Sequence, residues 1–369
     1  MSRRRVPVEE LEPFARDIVG AYGATDEAAE QVAESLVEAD LRGHRSHGTI
    51  RLPMLYRRML DEGVIDPAAT PEVLDGAGAG ATATVDGNHA FGQVVGRHAV
   101  DAATERAAEH GVAAVGVRNG AHLGRIGEWA ERAAGDGFLF AAWVNTGGLA
   151  PLVGLSGSAD RRIATNPIAF GTPSFGALEF PIVLDMATSQ VAHGKISKRA
   201  VEGEPLPEGW AIDAAGEYVT DASRFEEGEG AILPLGGTTS GYKGFGLAVM
   251  AELFAGMLGD AFVAGQDPEG IVNNAAAFVA VDPDGFASQE ANRARVEALA
   301  ENVASADYPD EVLPGDAARG DRALLPGESE HRTRAERAAE GVPLAAETVA
   351  LFVDLAEELG VEEVPPSFR

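Results

Sequence analysis

Apolar residues recur every three or four positions near both ends of the chain, and in short runs or alternation through its middle. The helical spacing predicts amphipathic helices over 8–22 and 26–41, with Thr25 placed to cap the second. A Gly/His loop follows, Gly43-His44-Arg45-Ser46-His47-Gly48, then a third helix from Ile50 to Glu62 that stops at Gly63. From Ala81 the pattern changes. Residues 81–87 predict a strand and turn, Phe91 to His110 a helix, Val112 to Val117 a strand, Arg118 to Gly124 a loop, Ile126 to Ala134 a helix and Phe138 to Val144 a strand. Strand, loop, helix and strand within about 35 residues suggest a βαβ-like unit. Further strands are expected at 167–171, 180–184, 209–213 and 277–281, and Tyr242 to Leu258 is an apolar helix expected to be buried. Residues 287–304 and 344–359 return to helical spacing, and 305–330, rich in Pro, Gly and Asp, is expected to be a long loop. No internal repeat is present. The pattern therefore predicts an α/β (α+β) protein. A helical N-terminal segment, 1–75, packs with a helical C-terminal segment, 287–369, around a central α/β domain, 76–286.

Length and composition narrow this. A chain of 369 residues has ample core for two or three domains. No apolar run reaches the ~18 residues of a membrane span. The basic start, Met1-Ser2-Arg3-Arg4-Arg5, is followed by no apolar stretch, so a cytoplasmic location is expected. With no cysteine, disulfides, thiol catalysis and cysteine metal sites are excluded. Asp and Glu number 58 against 29 Lys and Arg, a formal charge of −29, which argues against nucleic acid or an anionic membrane as partner. Acid spread over an Ala- and Gly-rich chain suits a salt-rich cytoplasm, where ions screen the self-repulsion; otherwise it marks an ordinary acidic enzyme. Only three lysines occur, Lys195, Lys198 and Lys243. Lysines retained against such a drift are enriched for specific tasks.

Three stretches bear on cofactor binding. Gly76-Ala77-Gly78-Ala79-Gly80-Ala81 matches G-x-G-x-x-A, but a strand rather than a helix follows it, so a connector is the preferred reading. Gly120-Ala121-His122-Leu123-Gly124 lies between a strand and a helix, and Gly241-Tyr242-Lys243-Gly244 opens the helix of 245–258. Each is either a phosphate site, where glycines admit a ligand to free helix amides, or a tight structural turn.

The densest chemistry lies in Asp40 to Gly48. His47 precedes Arg51 by four residues, which places both on one face of a helix starting there. A histidine beside an arginine is what oxidation of a 2-hydroxy acid requires. The arginine clamps the carboxylate, and the histidine takes the hydroxyl proton as hydride leaves C2. Ser46 is placed to orient the imidazole or to bond the substrate; otherwise the stretch is a polar capping loop. A Ser-His-Asp hydrolase using Ser46, His47 and Asp185 is a rival, opposed by the adjacency of Ser46 and His47 and by the lack of a G-x-S-x-G elbow. A binding or scaffold protein without chemistry is another.

At this point the chain resembles the malate/L-lactate dehydrogenase family of the non-Rossmann type, which includes ureidoglycolate and sulfolactate dehydrogenases and Δ1-piperideine-2-carboxylate reductases. The matching segments are DLRGHRSHGTIRLPMLY from Asp40, NGAHLGRIGE from Asn119, TNPIAFG from Thr165, LDMATSQVAHGKI from Leu184, GYKGFGL from Gly241 and LPGESE from Leu325. They appear in family order over nearly the whole chain and are specific together. The resemblance implies a mostly antiparallel central sheet flanked by helical segments from both termini, a homodimer, and NAD or NADP as cofactor. It implies roles for Ser46 and His47 as relay serine and acid/base histidine, and for Arg51 as the carboxylate-binding arginine. In some members the histidine at the position of His122 is the proton acceptor instead. Thr165, His193 and Gly194 match substrate contacts. His122, Leu123, Gly124, Arg125 and Ile126, with Thr146, Asp185, Met186, Ala187, Tyr242, Lys243, Pro326 and Gly327, match cofactor contacts. Where the cyclic-imine reductases carry an aspartate after the His-Gly pair, this chain has Lys195. That favours the hydroxy-acid branch and adds Lys195 to the substrate residues. The acidic stretch 305–324 is longer than the family needs and is expected to be a surface insertion. No metal is required, because a histidine suffices as proton acceptor. The substrate is thus expected to be a small 2-hydroxy or 2-oxo acid of malate or lactate type, with a cyclic imine as the alternative.

Overall fold

Seven strands hydrogen-bond in the order Glu72–Asp75, Thr82–Asp86, Val112–Gly120, Asn274–Val281, Leu139–Asn145, Ile168–Thr172 and Ile182–Met186. The computed structural model describes residues 3–76, 80–146, 151–266, 273–307 and 323–369. Residues 77–79 of the first glycine-rich stretch and 308–322 of the acidic stretch lie outside the described residues. Thr82–Asp86 and Val112–Gly120 run parallel, and every other neighbouring pair in the sheet is antiparallel. The mostly antiparallel fold class expected above is therefore present.

The unit expected to be βαβ differs in one respect. Asn274–Val281 lies between Val112–Gly120 and Leu139–Asn145, antiparallel to both. Its sequence, Asn-Ala-Ala-Ala-Phe-Val-Ala-Val, is almost wholly apolar. Such a strand is buried on both faces and belongs at a sheet centre. Helices Gly92–His110 and Ile126–Gly135 cover one face, where Val95, Val115, Trp129, Phe140 and Phe278 form the core.

Helix Gly237–Gly259 covers the other face, and here an expectation is corrected: the helix is not buried all round. The positions it buries are small, Gly244, Ala248, Ala251, Ala255 and Gly259 among them. A Cβ on Gly116 would lie 1.7 Å from the Leu258 carbonyl oxygen, so helix and sheet backbones touch. The large side chains are left to face away, and Leu247, Met250, Phe254, Met257 and Leu258 are exposed.

Terminal segments share a second core. Helices Val8–Ala21 and Asp26–Leu41 pack with Ala346–Leu359, and Phe14 lies 4.8 Å from Phe368, ring centre to ring centre. Thr25 caps the second helix through the Ala28 amide. Two short strands, Arg3–Val6 and Val342–Ala345, pair antiparallel here, and Glu328–Glu340 is a helix. None of these three was expected from the pattern. A third core lies under a four-stranded sheet of Ala211–Ile212, Ala231–Ile232, Val153–Gly154 and Arg161–Ile163. Among the described residues, no helix is long and apolar enough to cross a membrane.

The helix expected over 50–62 is broken. A wide turn spans Leu52–Tyr56, in which the Arg57 amide reaches back five residues to the Leu52 carbonyl, and only Arg57–Asp61 is regular α-helix. Pro53 supplies no N–H to the ladder, and wide turns of this kind recur at functional sites.

Candidate active site

Register brings five strand ends to one edge of the central sheet. Gly120 pairs with Asn274, Ala275 with Asn145, Trp143 with Ile168, and Ile168 with Met186. Loops bearing His122, Thr146, Thr165 and Ala187 leave from that edge. Polar side chains tie the loops together. Asn274 accepts from the Leu123 amide and donates to the Asn145 carbonyl. Glu252, the only acid of helix Gly237–Gly259, is buried and accepts from the side chains of Asn145 (3.0 Å) and Asn166 (2.6 Å). The Thr188 amide and hydroxyl both donate to the Thr165 carbonyl at 3.0 Å. Sequence reasoning missed Asn274, Asn166 and Glu252. A single acid in an otherwise apolar helix was the one available signal.

The Gly/His loop is held by a buried carboxylate. Asp40 accepts from the Thr49 amide (2.8 Å) and hydroxyl (2.6 Å), and burial pushes its carboxyl up to about 6. Gly48 has no room for a side chain, since a Cβ there would sit 2.1 Å from Asp40 Oδ1. The loop so fixed presents Ser46 Oγ 3.1 Å from His47 Nδ1, and the Arg51 Nε donates to the Ser46 carbonyl. No acceptor among the described residues takes the Nη groups of Arg51.

Although 75 residues separate them in sequence (122 − 47), the rings of His47 and His122 stack, with centroids 5.5 Å apart and planes 14° apart. Both are half-buried. Loss of water holds the His47 imidazole down to about 3 and His122 well below the ordinary range, and the Arg51 charge adds to both. Both are therefore neutral at pH 7.

Gly194 closes the site. A Cβ on it would lie 3.0 Å from the Ser46 Cβ and 3.9 Å from Arg51 Nη2. It stands in the first turn of helix His193–Glu202, whose N-cap, Ala192, offers no capping side chain. Ser46, His47, Arg51, His122 and Gly194 thus converge. His193 lies beside Gly194, but its Nε2 is 3.1 Å from Glu226. Lys195 is exposed on the same turn.

Other expected residues are arranged as follows. Arg125 is buried and bonded to both oxygens of Glu131. Asp185 accepts from the Gly127 amide at 2.8 Å, so a carboxylate occupies the start of helix Ile126–Gly135. The Pro326 carbonyl accepts from the Val183 amide, which seats Pro326 and Gly327 against the strand leading to Asp185 and Met186. A kink at Ser240 divides Gly237–Gly259 into two helical pieces, and Tyr242 and Lys243 stand in the first turn of the second. Lys243 makes no ion pair among the described residues and lies 5.9 Å from the Tyr242 ring centre. Among the described residues, no group of three His, Asp or Glu is arranged to hold a metal ion.

Residues 6–352 match the family model described as malate/L-lactate dehydrogenase. The chain belongs to the malate/L-lactate dehydrogenase family. Hydroxycarboxylate dehydrogenase B of Escherichia coli (strain K12) is 34% identical to it, over 98% of this chain and 96% of the relative. The L-lactate dehydrogenase of Cupriavidus necator is 37% identical, over 90% and 91%. Among solved structures, malate dehydrogenase from Entamoeba histolytica superimposes with a TM-score of 0.88 at 26% identity, covering 98% of this chain and 99% of the other. This chain is accordingly a 2-hydroxy acid oxidoreductase.

Proposed function

We propose that the chain interconverts a small 2-hydroxy acid and its 2-oxo acid at the Ser46–His47–Arg51–His122 cluster, with NAD or NADP as hydride carrier. The observation carrying this reading is a neutral histidine stacked on a second one beside a guanidinium whose Nη groups have no acceptor among the described residues. Arg51 holds the substrate carboxylate through that fork. His47 exchanges the hydroxyl proton, and Ser46 orients its ring. Gly194 leaves room for the substrate beside Ser46, with Thr165, His193 and Lys195 completing the wall. The bound nicotinamide takes or gives the hydride. The residues present fit such a group. Lys243 has no carboxylate partner among the described residues, in a chain of charge −29, and stands next to Tyr242 and two glycines. The His122–Ile126 loop, Thr146 and Asp185–Ala187 adjoin the same sheet edge, and Pro326–Gly327 lie against Val183 on the strand that leads to it. A hydrolytic triad is disfavoured, since Ser46 sits at Nδ1 of His47 and Asp185 is bonded to Gly127 instead.

The test is the absorbance of reduced nicotinamide in molar KCl, with oxaloacetate, pyruvate, glyoxylate, sulfopyruvate and a cyclic imine against NADH and NADPH. Oxidation with one 2-oxo acid is expected. Turnover of the imine alone would overturn the hydroxy-acid assignment.

We further propose a cytoplasmic, salt-adapted homodimer, in which 1–75 and 287–369 form one packing unit and 76–286 the central cofactor- and substrate-binding domain. Two copies of so acidic a chain meet most easily where acids are lacking. The outer face of helix Gly237–Gly259 is such a place: Met257 is 72% exposed and Met250 47%, while the only acid of the helix is buried. Light scattering of wild type in molar KCl is expected to give a dimer, and Met250→Glu/Met257→Glu a monomer. A monomeric wild type at micromolar concentration defeats the proposal. Screening of the −29 charge should also raise the melting temperature between 0.1 M and molar KCl, and an unchanged or lower value argues against salt adaptation.

A further inference from the structure

We infer that Tyr56, itself held by Gln93, locks the His122 imidazole as its Nε2–H tautomer, which makes His122 a hydrogen-bond donor to the substrate oxygen and leaves His47 as the sole proton acceptor. The division of roles rests on the dehydrogenase reading; the tautomer rests on hydrogen-bond geometry and on both groups being neutral. The Tyr56 hydroxyl lies 3.1 Å from His122 Nδ1, and the Gln93 side-chain amide donates to the same hydroxyl oxygen. Tyr56 and Gln93 are each 1% exposed, so no bulk water competes. A hydroxyl carries one proton. With its oxygen taking the amide N–H, that proton is directed to the Nδ1 lone pair. Burial pushes the tyrosine up to about 12, so the proton stays on it. His122 is held neutral, so its single ring proton sits on Nε2.

The wide turn Leu52–Tyr56 is the local structure that delivers this contact. It begins directly after Arg51 and ends on Tyr56, so one segment carries the carboxylate clamp and the residue that sets the second histidine. Ser46 stands at the corresponding atom of His47, 3.1 Å from Nδ1, and its hydroxyl has no other partner among the described residues; by accepting from Nδ1–H it would free Nε2 as a base. In the oxidative direction the O–H bond breaks with its proton passing to His47 Nε2. A bound nicotinamide would accept the electron pair of the breaking C2–H bond, and the C2=O bond would form against His122 Nε2–H. Tyr56 and Gln93 touch no reacting atom; they are positioning residues.

The reverse polarity, with Gln93 accepting from Tyr56 and Tyr56 accepting from His122 Nδ1–H, would make His122 a base. The two are separated by nitrogen NMR of protein selectively labelled at histidine, without substrate, with the His122 signals assigned by their loss in His122→Gln. The expected wild-type result is a bare Nδ1 and a protonated Nε2. Tyr56→Phe is expected to lose that preference and to lower kcat about tenfold with KM little changed, the equivalent of one net hydrogen bond. Should Tyr56→Phe fail to fold, Gln93→Leu, which keeps the tyrosine, is expected to weaken the preference in the same spectrum. A protonated Nδ1 in wild type, or an unaltered His122 spectrum in folded Tyr56→Phe, overturns the inference. Absence of turnover with every oxo acid would instead count against the dehydrogenase reading, since the spectrum needs no substrate.

Discussion

Replacing His47 by alanine is expected to lower kcat for 2-hydroxy acid oxidation about 10²- to 10⁴-fold, the usual worth of a positioned general base, with the fold and cofactor binding intact. The ring is half-buried and its recorded side-chain hydrogen bond is to Ser46, so its removal leaves no buried charge unpaired. Reduction of the oxo acid should fall by the same factor, because the same group returns the proton. Wild type should also show an unusual acid limb. A histidine at its ordinary value takes up a proton as pH falls through about 6.5, and a base so protonated stops working. Loss of water and the Arg51 charge hold His47 down to about 3, so the neutral base persists as pH falls. Oxidation measured as kcat/KM is therefore expected to stay level from pH 8 to pH 5. A mutant retaining half of wild-type kcat, or a wild-type profile falling around pH 6.5, would remove His47 from the reaction.

Local chemistry was legible in the sequence, and long-range geometry was not. Thr25 and the amphipathic spacing after it place helix Asp26–Leu41 to the residue at its start, because a cap and a periodicity act within a few positions. The candidate catalytic loop was readable as a unit for the same reason: Asp40 to Arg51 carries its polar residues within twelve positions. The insertion of Asn274–Val281 between two strands far earlier in the chain depends on pairings across more than 120 residues, which no local pattern encodes. The four-residue strand Arg3–Val6 is largely basic, so it carries no strand periodicity of its own and forms only against Val342–Ala345. Helix Gly237–Gly259 was legible as apolar but not as two-sided. Its small residues make the buried face and its large ones the exposed face, the reverse of the ordinary pattern. The stacking of His47 on His122 likewise needs the sheet edge and the Gly/His loop brought together.

Arg51→Gln is expected to lower kcat/KM about 10²- to 10³-fold, mostly through KM, because two charge-assisted hydrogen bonds to the substrate carboxylate are lost at about 1.5–3 kcal/mol each and are not fully additive. Arg51→Lys should recover little of this. A lysine keeps the charge but not the planar fork, and it cannot bond the Ser46 carbonyl while presenting two parallel donors to a substrate. The glutamine variant carries a second signature that a purely structural defect would not produce. After loss of water, the Arg51 charge is the next largest cause holding His47 down. Removing a neighbouring positive charge makes protonation easier, so the His47 value rises toward the ordinary 6.5. Oxidation by Arg51→Gln should then begin to fall at a higher pH than oxidation by wild type, with the base inactivated as protons add. A variant that loses kcat/KM without any upward movement of the acid limb would mean that Arg51 and His47 do not face the same substrate, and the one-site reading of this cluster would fail with it.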